Sequence, residues 1–196
     1  MPTAPLTARS ERTRAALRQA AMVRFLAQGV EATTAEEIAS DAGVTLRTFY
    51  RHFSSKHDLL FADYDSGLHW FRRALAERPV DESVIESVNA AVFAFPYDVD
   101  AVAQIANLRI GALDPSRIVQ QMRRVQSDFA HALLEHLRSR HPDADDLDVT
   151  VAARAITAAV FAGMEVWLHR DNRSLPELAQ LFRDALATVS PAFRHY

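Results

Sequence analysis

The sequence predicts an all-α fold of about nine helices, and three observations support that prediction. Through most of the 196 residues, apolar side chains recur three or four positions apart, which is the spacing of one face of an α-helix. Two segments carry the pattern of a capping box, Thr34 with Glu37 and Ser174 with Glu177, in which side chains satisfy backbone N–H groups at a helix start. No strand pattern of comparable quality occurs anywhere in the chain.

The composition is that of an ordinary globular protein, with 49% hydrophobic and 24% charged residues. The absence of cysteine excludes disulfides, thiol catalysis and cysteine-ligated zinc. No apolar segment of the secretory type precedes Arg9, so the cytoplasm is the expected compartment. We find no glycine-rich phosphate loop and no set of nucleophile, base and orienting residue, so the sequence predicts a protein that is not an enzyme.

Charge is distributed unevenly along the chain, which as a whole carries −3. Residues 1–56 contain eight basic and five acidic side chains, a net charge of +3, whereas residues 57–196 carry −6. A locally positive surface can contact phosphate groups even when the whole protein is acidic. The overall charge is therefore no objection to a nucleic-acid partner.

The N-terminal region is predicted to contain a tail and a three-helix bundle. Residues 1–8 hold two prolines and no periodic pattern, so a flexible tail is expected there. Residues 9–55 are the predicted bundle. Its first helix begins at about Ser10 and ends at Gly29, because glycine adopts the left-handed conformation that follows many helices.

The next two predicted helices are short and joined by a tight turn. The capping box at Thr34 begins one of them, and Gly43 ends it. Thr45 is the predicted N-cap of the other, in which Phe49 and Phe53 lie four positions apart on one face. The opposite face carries hydrogen-bond donors. This arrangement is typical of a DNA-binding helix-turn-helix, although its outline also describes a helical hairpin without DNA function.

Residues 56–196 are predicted to form a helical domain for ligand binding and dimerisation. A helix from Ser55 to Arg78 would connect it to the bundle. The segment Val149–Leu168 is apolar nearly all round but contains Arg154 and Glu165, and these charges disfavour a membrane span. This helix and the one after it are more apolar than a single core requires, so together they predict a four-helix dimer interface.

The segment Thr33–Lys56, TTAEEIASDAGVTLRTFYRHFSSK, resembles the DNA-binding domain of the TetR family of bacterial transcriptional regulators. The matching positions run from the first short helix to the lysine after the second: Thr33, Thr34, Ile38, Ala39, Ala42, Gly43, Val44, Phe49, Tyr50, His52, Phe53 and Lys56. The resemblance is close over residues 9–60. Arg47 departs from it, because the family commonly has glycine there, and a guanidinium at this position suggests a contact with guanine or with phosphate.

The resemblance implies a role for several side chains at the DNA. Tyr50, His52 and Lys56 match positions that contact phosphate. Thr34 and Thr45 match helix N-termini that lie at the DNA backbone. The exposed face of the second short helix is expected at base edges or thymine methyls, and its residues are Leu46, Arg47 and Thr48, with Arg51 beside them. For an arginine or a threonine on this face, simple solvation is the alternative.

The C-terminal domain contains enough aromatic side chains to line a cavity as well as to fill a core. The candidate ligand contacts are six of these aromatics and one arginine: Tyr64, Trp70, Phe71, Phe93, Arg109, Phe129 and Trp167. Arg109 lies in the apolar run IANLRIGAL, so its charge either reaches water or meets an anion. The domain also loosely resembles those of actinobacterial TetR regulators thought to recognise acyl-CoA-like ligands. The 21 arginines against one lysine fit a GC-rich genome of that kind.

The sequence therefore predicts a TetR-like repressor that binds a palindromic DNA operator as a homodimer. A small hydrophobic or amphipathic effector, with an acyl-CoA-like molecule as one candidate, would control its DNA affinity from the C-terminal domain. No cofactor and no metal site are predicted, because His52 and His57 share no face with a third ligand. The alternative from another class is a helical small-molecule-binding protein or enzyme whose motif has no DNA function.

Overall fold

The computed structural model describes residues 8–94, 99–170, 174–193 and 196. Its helices are α1 (Ala8–Gln28), α2 (Ala35–Asp41), α3 (Leu46–His52), α4 (Ala62–Ala76), α5 (Val84–Phe93), α6 (Val99–Ala112), α7 (Pro115–Arg140), α8 (Asp146–Leu168) and α9 (Leu175–Val189). Two 3₁₀ segments, Lys56–Phe61 and Ser190–Ala192, complete the regular structure. The described residues contain no strand, and the predicted all-α fold is confirmed. The predicted tail, residues 1–8, lies outside them except for Ala8, with which α1 begins.

The described residues divide into two compact units. The first comprises those up to Asp63 together with Asn107–Pro115, and the second comprises those of Tyr64–Ala106 and Ser116–Tyr196. This division falls later in the chain than the predicted boundary between residues 55 and 56. Part of the reason is that the 3₁₀ segment Lys56–Phe61 buries its last three side chains, all of them apolar, within the first unit.

The first unit is a small bundle whose helices meet at a buried apolar core. Leu17 and Phe25 of α1, Ile38 of α2 and Phe49 of α3 are each no more than 1% exposed. Burying such side chains completely contributes about 1.5 to 3 kcal/mol each. Gly29 ends α1 with φ of 83°, as its position in the sequence predicts. The core thus holds the two short helices, which have only seven residues each, against the longer α1.

The predicted continuous helix from Ser55 to Arg78 is corrected in its first turns. It begins as the 3₁₀ segment, and the α-helical part, α4, starts only at Ala62. The Asp58 carboxylate accepts the backbone N–H groups of Ser54 and Ser55 at 2.9 and 3.0 Å. These bonds satisfy donors that a helix start would otherwise leave free.

The second unit is built around a continuous apolar core to which α4, α5, α7, α8 and α9 contribute. Its most deeply buried large side chains are Leu75, Val88, Leu133, Leu137, Ile156, Trp167 and Phe182. Because apolar burial is the main favourable contribution to folding, this core stabilises the long helices that carry the rest of the unit.

The contact between α8 and α9 depends on Gly163. A Cβ atom at this position would lie 3.0 Å from Phe182 Cδ1 and 3.2 Å from the Leu181 carbonyl oxygen. Both distances are tighter than ordinary van der Waals contact, so a glycine permits the approach. The predicted close approach of another helix at this glycine is confirmed. Trp167 extends the contact by donating its indole N–H to the Ser174 carbonyl at 3.1 Å.

At the start of α9, the structure describes one half of the predicted capping box. Ser174 Oγ accepts the Glu177 N–H at 3.3 Å. The Glu177 carboxylate lies 3.9 Å from Arg170 Nε, and this cation competes with the cap backbone for it.

Helix α8 has more apolar surface than the second unit covers. It is the one helix in the described part of the chain that is long and apolar enough to cross a membrane, yet only 33% of its most apolar window is buried. Leu147, Val151 and Val166 are 69%, 47% and 45% exposed. Arg154 and Glu165 in the same helix disfavour a membrane position. An exposed apolar face on a helix is typical of a protein–protein contact.

Candidate nucleic-acid interface

Helix α2 begins at a complete capping box, as predicted. The Thr34 hydroxyl accepts the Glu37 N–H at 3.2 Å, and the Glu37 carboxylate accepts the Thr34 N–H at 2.8 Å. The bond from the Thr34 backbone is the main reason that the pKa of Glu37 lies below its usual value. The box fixes the residue at which α2 starts and therefore the direction in which its first N–H groups point.

The turn between α2 and α3 is made by Gly43. Its φ is 67°, a left-handed value that costs other L-residues roughly 1 to 2 kcal/mol. The Gly43 N–H donates to the Ser40 carbonyl at 3.0 Å, and the Val44 N–H donates to the Ala39 carbonyl at 2.9 Å. These bonds satisfy the carbonyls at the end of α2 and set the angle at which the chain enters α3.

Helix α3 is fixed at its start by a cap and along one face by aromatic packing. The Thr45 hydroxyl accepts the Thr48 N–H at 3.2 Å, as predicted. Phe49 is fully buried and Phe53 is 5% exposed, and their rings lie 6.1 Å apart. From α1, the Arg14 guanidinium lies 4.7 Å from the centre of the Phe53 ring. The outer face of α3 is thus held in place from behind.

The outward-facing side chains of α3 are cationic or aromatic. Arg47 and Arg51 are exposed, and no hydrogen bond or ion pair joins either to the residues that the structure describes. Tyr50 is 54% exposed, and its ring lies edge-on to Phe49 at 5.2 Å. Leu46 and Thr48 are half-buried beside them. Two guanidiniums and a phenol on a rigid helix match the donors that bind phosphate oxygens and guanine edges.

The structure brings most of the predicted DNA-contacting residues onto α3 and the start of α2, but it places His52 differently. His52 is half-buried, and its Nε2 is buried without a hydrogen-bond partner among the described residues. Burial, followed by the charges of Arg51 and Arg14, lowers the pKa of His52 below its usual value. A neutral, inward ring offers no positive charge to a phosphate. The predicted phosphate contact of His52 stays a prediction, and the structure offers it no support.

Lys56 lies at the edge of the same surface, where its charge is used within the protein. Its ammonium donates to the Glu31 carbonyl at 2.9 Å and to the Thr33 carbonyl at 3.0 Å. These bonds hold the loop that leads into α2. The Glu31 carboxylate also lies 3.9 Å from this ammonium, so it competes with a phosphate for the third N–H donor. The predicted phosphate contact of Lys56 stays a prediction.

A network that the sequence analysis missed holds α2 against α1. Arg24 donates to both carboxylate oxygens of Asp41, at 2.6 and 3.0 Å, and to Glu37 at 2.8 Å. The hydrogen bond from this guanidinium lowers the pKa of the Asp41 carboxyl. The partners are 13 and 17 positions from Arg24, so the helical spacing of three or four residues does not predict the network.

Of the seven predicted ligand contacts, the structure brings three aromatics together. Tyr64 stacks on Phe161 with ring centres 6.5 Å apart, and Phe161 lies 5.6 Å from Phe129. Phe129 in turn lies 5.4 Å from Phe71. We call these four rings, Tyr64, Phe71, Phe129 and Phe161, the aromatic cluster of the second unit. Phe161 was not among the predicted contacts, although its helical register was visible in the sequence.

The other predicted aromatics lie apart from this cluster. Phe93 packs on Phe182 at 5.8 Å, within the contact to α9. Trp167 is fully buried, and its indole N–H is bonded to the Ser174 carbonyl. It is therefore a core residue of the second unit. Trp70 is 38% exposed on α4. Their ligand contacts stay predictions.

Arg109 belongs to the first unit and is used there as a structural residue. Its side chain is almost fully buried and donates to the Leu60 carbonyl and to Asp63 Oδ1, both at 2.7 Å. The guanidinium also lies 5.0 Å from the centre of the Phe61 ring. Its buried charge thus meets an internal carboxylate. The predicted anionic-ligand contact of Arg109 stays a prediction, and the structure offers it no support.

The described residues contain no group of three His, Cys, Asp or Glu side chains that could hold a metal ion. The surface that stands out is therefore the face of α3 with the caps of α2 and α3 beside it.

Comparison with known proteins gives this surface its context. Residues 17–62 match the family of bacterial regulatory proteins, tetR family. The chain is 30% identical over 192 residues to the HTH-type transcriptional regulator TcmR of Streptomyces glaucescens, covering 92% of this chain and 84% of that one. Its relatives are regulators rather than enzymes, and this chain is likewise not an enzyme.

Solved structures share the fold. SmeT of Stenotrophomonas maltophilia in complex with triclosan superposes with a TM-score of 0.56 at 23% identity, covering 92% of this chain and 90% of that one. The FadR repressor of Thermus thermophilus in complex with lauroyl-CoA superposes with a TM-score of 0.54 at 20% identity, covering 90% and 92%. Likenesses at this identity establish the fold alone. The relationship to TcmR and the family match across α2 and α3 show that this chain belongs to the TetR family of bacterial transcriptional regulators.

Proposed function

We propose that this regulator is a cytoplasmic repressor that binds a palindromic operator as a homodimer and changes its DNA affinity when a small molecule binds to the second unit. The observation that carries the proposal is the outer face of α3. There Arg47 and Arg51 present guanidiniums without an internal partner among the described residues, on a helix held from behind by Phe49 and Phe53.

We assign direct base contacts to Arg47 with Leu46 and Thr48. A guanidinium can donate two bonds to guanine O6 and N7, and a methyl-bearing side chain can contact thymine. Arg51 lies next to them on the exposed face. Tyr50, exposed at the edge of α3, donates its hydroxyl to phosphate.

The caps add backbone contacts. The hydroxyls of Thr34 and Thr45 are bonded within their own helix starts, so these residues act through the N–H groups they orient. The positive end of a helix dipole favours a phosphate at such a terminus. Lys56 would bind phosphate with its third N–H donor in competition with the Glu31 carboxylate, 3.9 Å away. The His52 ring would have to move before it contacted a phosphate.

Dimerisation is assigned to α8 and α9. The exposed apolar residues of α8, Leu147, Val151 and Val166, are joined on α9 by Leu175, which is 44% exposed. Two copies of such a helix pair can form a four-helix interface around a two-fold axis. A dimer then presents two α3 helices to half-sites about 34 to 36 Å apart.

The effector site is assigned to the aromatic cluster of the second unit, where Tyr64, Phe71, Phe129 and Phe161 lie in successive ring contacts. Aromatic walls favour a hydrophobic or amphipathic molecule. Triclosan, bound in one structure of like fold, is hydrophobic, and lauroyl-CoA, bound in the other, is amphipathic, with an apolar acyl chain on a charged CoA group. Both belong to this class of molecule. The effector would act through α4, and a coupling of about 1 to 3 kcal/mol changes operator affinity roughly 5- to 150-fold.

The proposal is tested by gel shift of the full-length protein with genomic fragments, including the DNA upstream of its own reading frame. We expect specific, salt-sensitive retention of at least one fragment. Arg47→Ala is expected to weaken binding to that fragment by about 1 to 3 kcal/mol and to relax its base preference at one position. Tyr50→Phe is expected to weaken specific and nonspecific binding alike.

Arg124→Ala serves as the matched control, because Arg124 is exposed on α7 and has no partner among the described residues. It should leave DNA affinity within twofold of the wild type. Retention of no fragment would defeat the proposal. If Arg47→Ala and Tyr50→Phe both left DNA affinity unchanged while a small molecule still bound, the alternative of a ligand-binding protein without DNA function would gain support.

A further inference from the structure

A cleft lies between α7 and α8 in the second unit. Its volume is about 370 Å³, near the lower end of the range of about 300 to 1,000 Å³ for small-molecule sites. Ten side chains, all from these two helices, line it. The aromatic cluster contributes none of these residues, so the cleft has its own chemistry.

The charge of the lining has a single sign. It contains two arginines and no aspartate or glutamate. Most arginines of the second unit have a partner, as Arg138 has in Asp146 at 2.8 Å. No hydrogen bond or ion pair joins Arg123 or Arg154 to the residues that the structure describes. His131 is paired with Glu135 at 3.3 Å, so the arginines are the cations left for a ligand.

The rest of the lining is suited to an amphipathic molecule. Leu134 and the alanines at 130, 153 and 158 supply an apolar wall, and Ala153 is only 1% exposed. Gln126, Ser127 and Thr150 supply hydrogen-bonding groups along the same wall. Guanidiniums bind carboxylate and phosphate groups with two parallel hydrogen bonds, a geometry that lysine does not offer.

We infer that this cleft binds the anionic head of a small amphipathic molecule, with Arg123 and Arg154 on a carboxylate or phosphate and the alanine-lined wall along the apolar part. The inference rests on the proposed ligand-responsive function and extends it, because it adds to the aromatic cluster a second ligand site with a stated preference for an anion. An effector held by α7 and α8 contacts the helix that also carries the surplus apolar face.

The test is isothermal titration calorimetry on the full-length protein without DNA. Four probes share an eight-carbon chain: octyl phosphate, octanoate, octan-1-ol and octyltrimethylammonium. The two anions are expected to bind at least tenfold more tightly than the alcohol or the cation, because hydrogen bonds between charged groups are stronger than those between neutral groups. Comparison of octyl phosphate with octanoate then distinguishes a phosphate head from a carboxylate head.

Variants locate the binding. Arg123→Ala and Arg154→Ala are each expected to weaken octyl phosphate binding roughly tenfold or more. Arg124→Ala, which removes the same charge from the next position of α7, should change it less than twofold. Ser127→Trp places a large ring in the cleft and should abolish binding without altering charge. All four positions are exposed, so the variants are expected to fold, and their thermal midpoints check this.

Equal affinity for octan-1-ol and octyl phosphate would overturn the inference, as would binding of none of the probes or equal effects of Arg123→Ala and Arg124→Ala. Failure here is distinct from failure of the proposed function. A protein that retains an operator fragment but ignores the anions loses this site and keeps its DNA-binding role. A protein that binds octyl phosphate but retains no DNA keeps this site and loses the proposed DNA-binding role.

Discussion

The guanidinium of Arg109 is almost fully buried. Three groups of the first unit compensate its buried positive charge. The Leu60 carbonyl, the Asp63 carboxylate and the Phe61 ring surround it. A buried cation is tolerated only when it is paired and hydrogen-bonded. The arginine therefore joins the end of α6 to the residues that lead into α4.

Removing this side chain is expected to be costly. Arg109→Ala leaves the Asp63 carboxylate, whose side chain is 25% exposed, and the Leu60 carbonyl without their donor. Loss of one partner of a buried pair costs about 3 kcal/mol at the lower end of the usual range. The measurement is the free energy of unfolding from guanidinium titration. Replacing both partners, by Arg109→Met with Asp63→Leu, should cost less than Arg109→Ala alone. Arg109→Ala within 0.5 kcal/mol of wild type would contradict this account.

At this scale the sequence predicts side-chain roles well where the cause is local. The caps at Thr34 and Thr45 follow from residues three positions apart, and both are present. The partner of Arg109 is 46 positions away, and the partners of Lys56 are 23 and 25 positions away. No spacing rule connects such residues, which explains why Arg109 was predicted as a ligand contact.

At the scale of elements, the angle between α2 and α3 depends on Gly43. A Cβ atom at this position would meet no atom within 4 Å, so substitution adds no clash. The cost of Gly43→Ala is therefore backbone strain alone, roughly 1 to 2 kcal/mol of stability. Gly111→Ala is the matched control, because a Cβ there also meets nothing within 4 Å and its φ is not positive.

In the interior of an exposed helix, alanine is favoured over glycine by about 0.8 to 1 kcal/mol, and by less near a helix end such as that of α6. The midpoint temperature of thermal unfolding should therefore fall for Gly43→Ala, whereas it should rise or stay unchanged for Gly111→Ala. A Gly43→Ala variant as stable as the wild type would show that the left-handed turn is not required.

Element boundaries are predictable where chemistry marks them. Gly29 and the pair Asp114–Pro115 mark the end of α1 and the start of α7, and both are observed. The 3₁₀ form of Lys56–Phe61 is not predictable from periodicity. Three consecutive apolar residues, Leu59, Leu60 and Phe61, are all buried, and the burial of all three depends on the tertiary structure.

At the scale of the whole molecule, the proposed function requires two copies of the chain. Val151 lies on the exposed apolar face of α8 at 47% exposure, where we place the dimer interface. Val151→Arg adds a charge that would have to be buried there, which costs several kcal/mol without a partner. Sedimentation velocity is expected to show a monomer. Operator affinity should fall roughly a hundredfold or more, because a second half-site no longer binds intramolecularly.

Val80→Arg is the control for this prediction. Val80 is 86% exposed between α4 and α5, away from α8 and α9 in the chain, so its substitution should leave the protein dimeric. A Val151→Arg protein that remained dimeric and bound its operator normally would place the interface elsewhere. The apolar composition of α8 predicts that the helix has more apolar surface than one chain covers. The position of the second chain on that surface depends on the assembly, and the pattern of one chain does not contain it.

We propose that α3 reads DNA sequence from two symmetric positions. This is tested by selection of bound duplexes from a randomised pool by the full-length protein, in parallel with the Arg47→Ala variant. We expect an enriched palindrome whose half-site centres lie one helical turn, about 10 to 10.5 base pairs, or a multiple of it apart. With Arg47→Ala, we expect a changed preference at one position of each half-site. Enrichment of no sequence, or of the same sequence by both proteins, would contradict it.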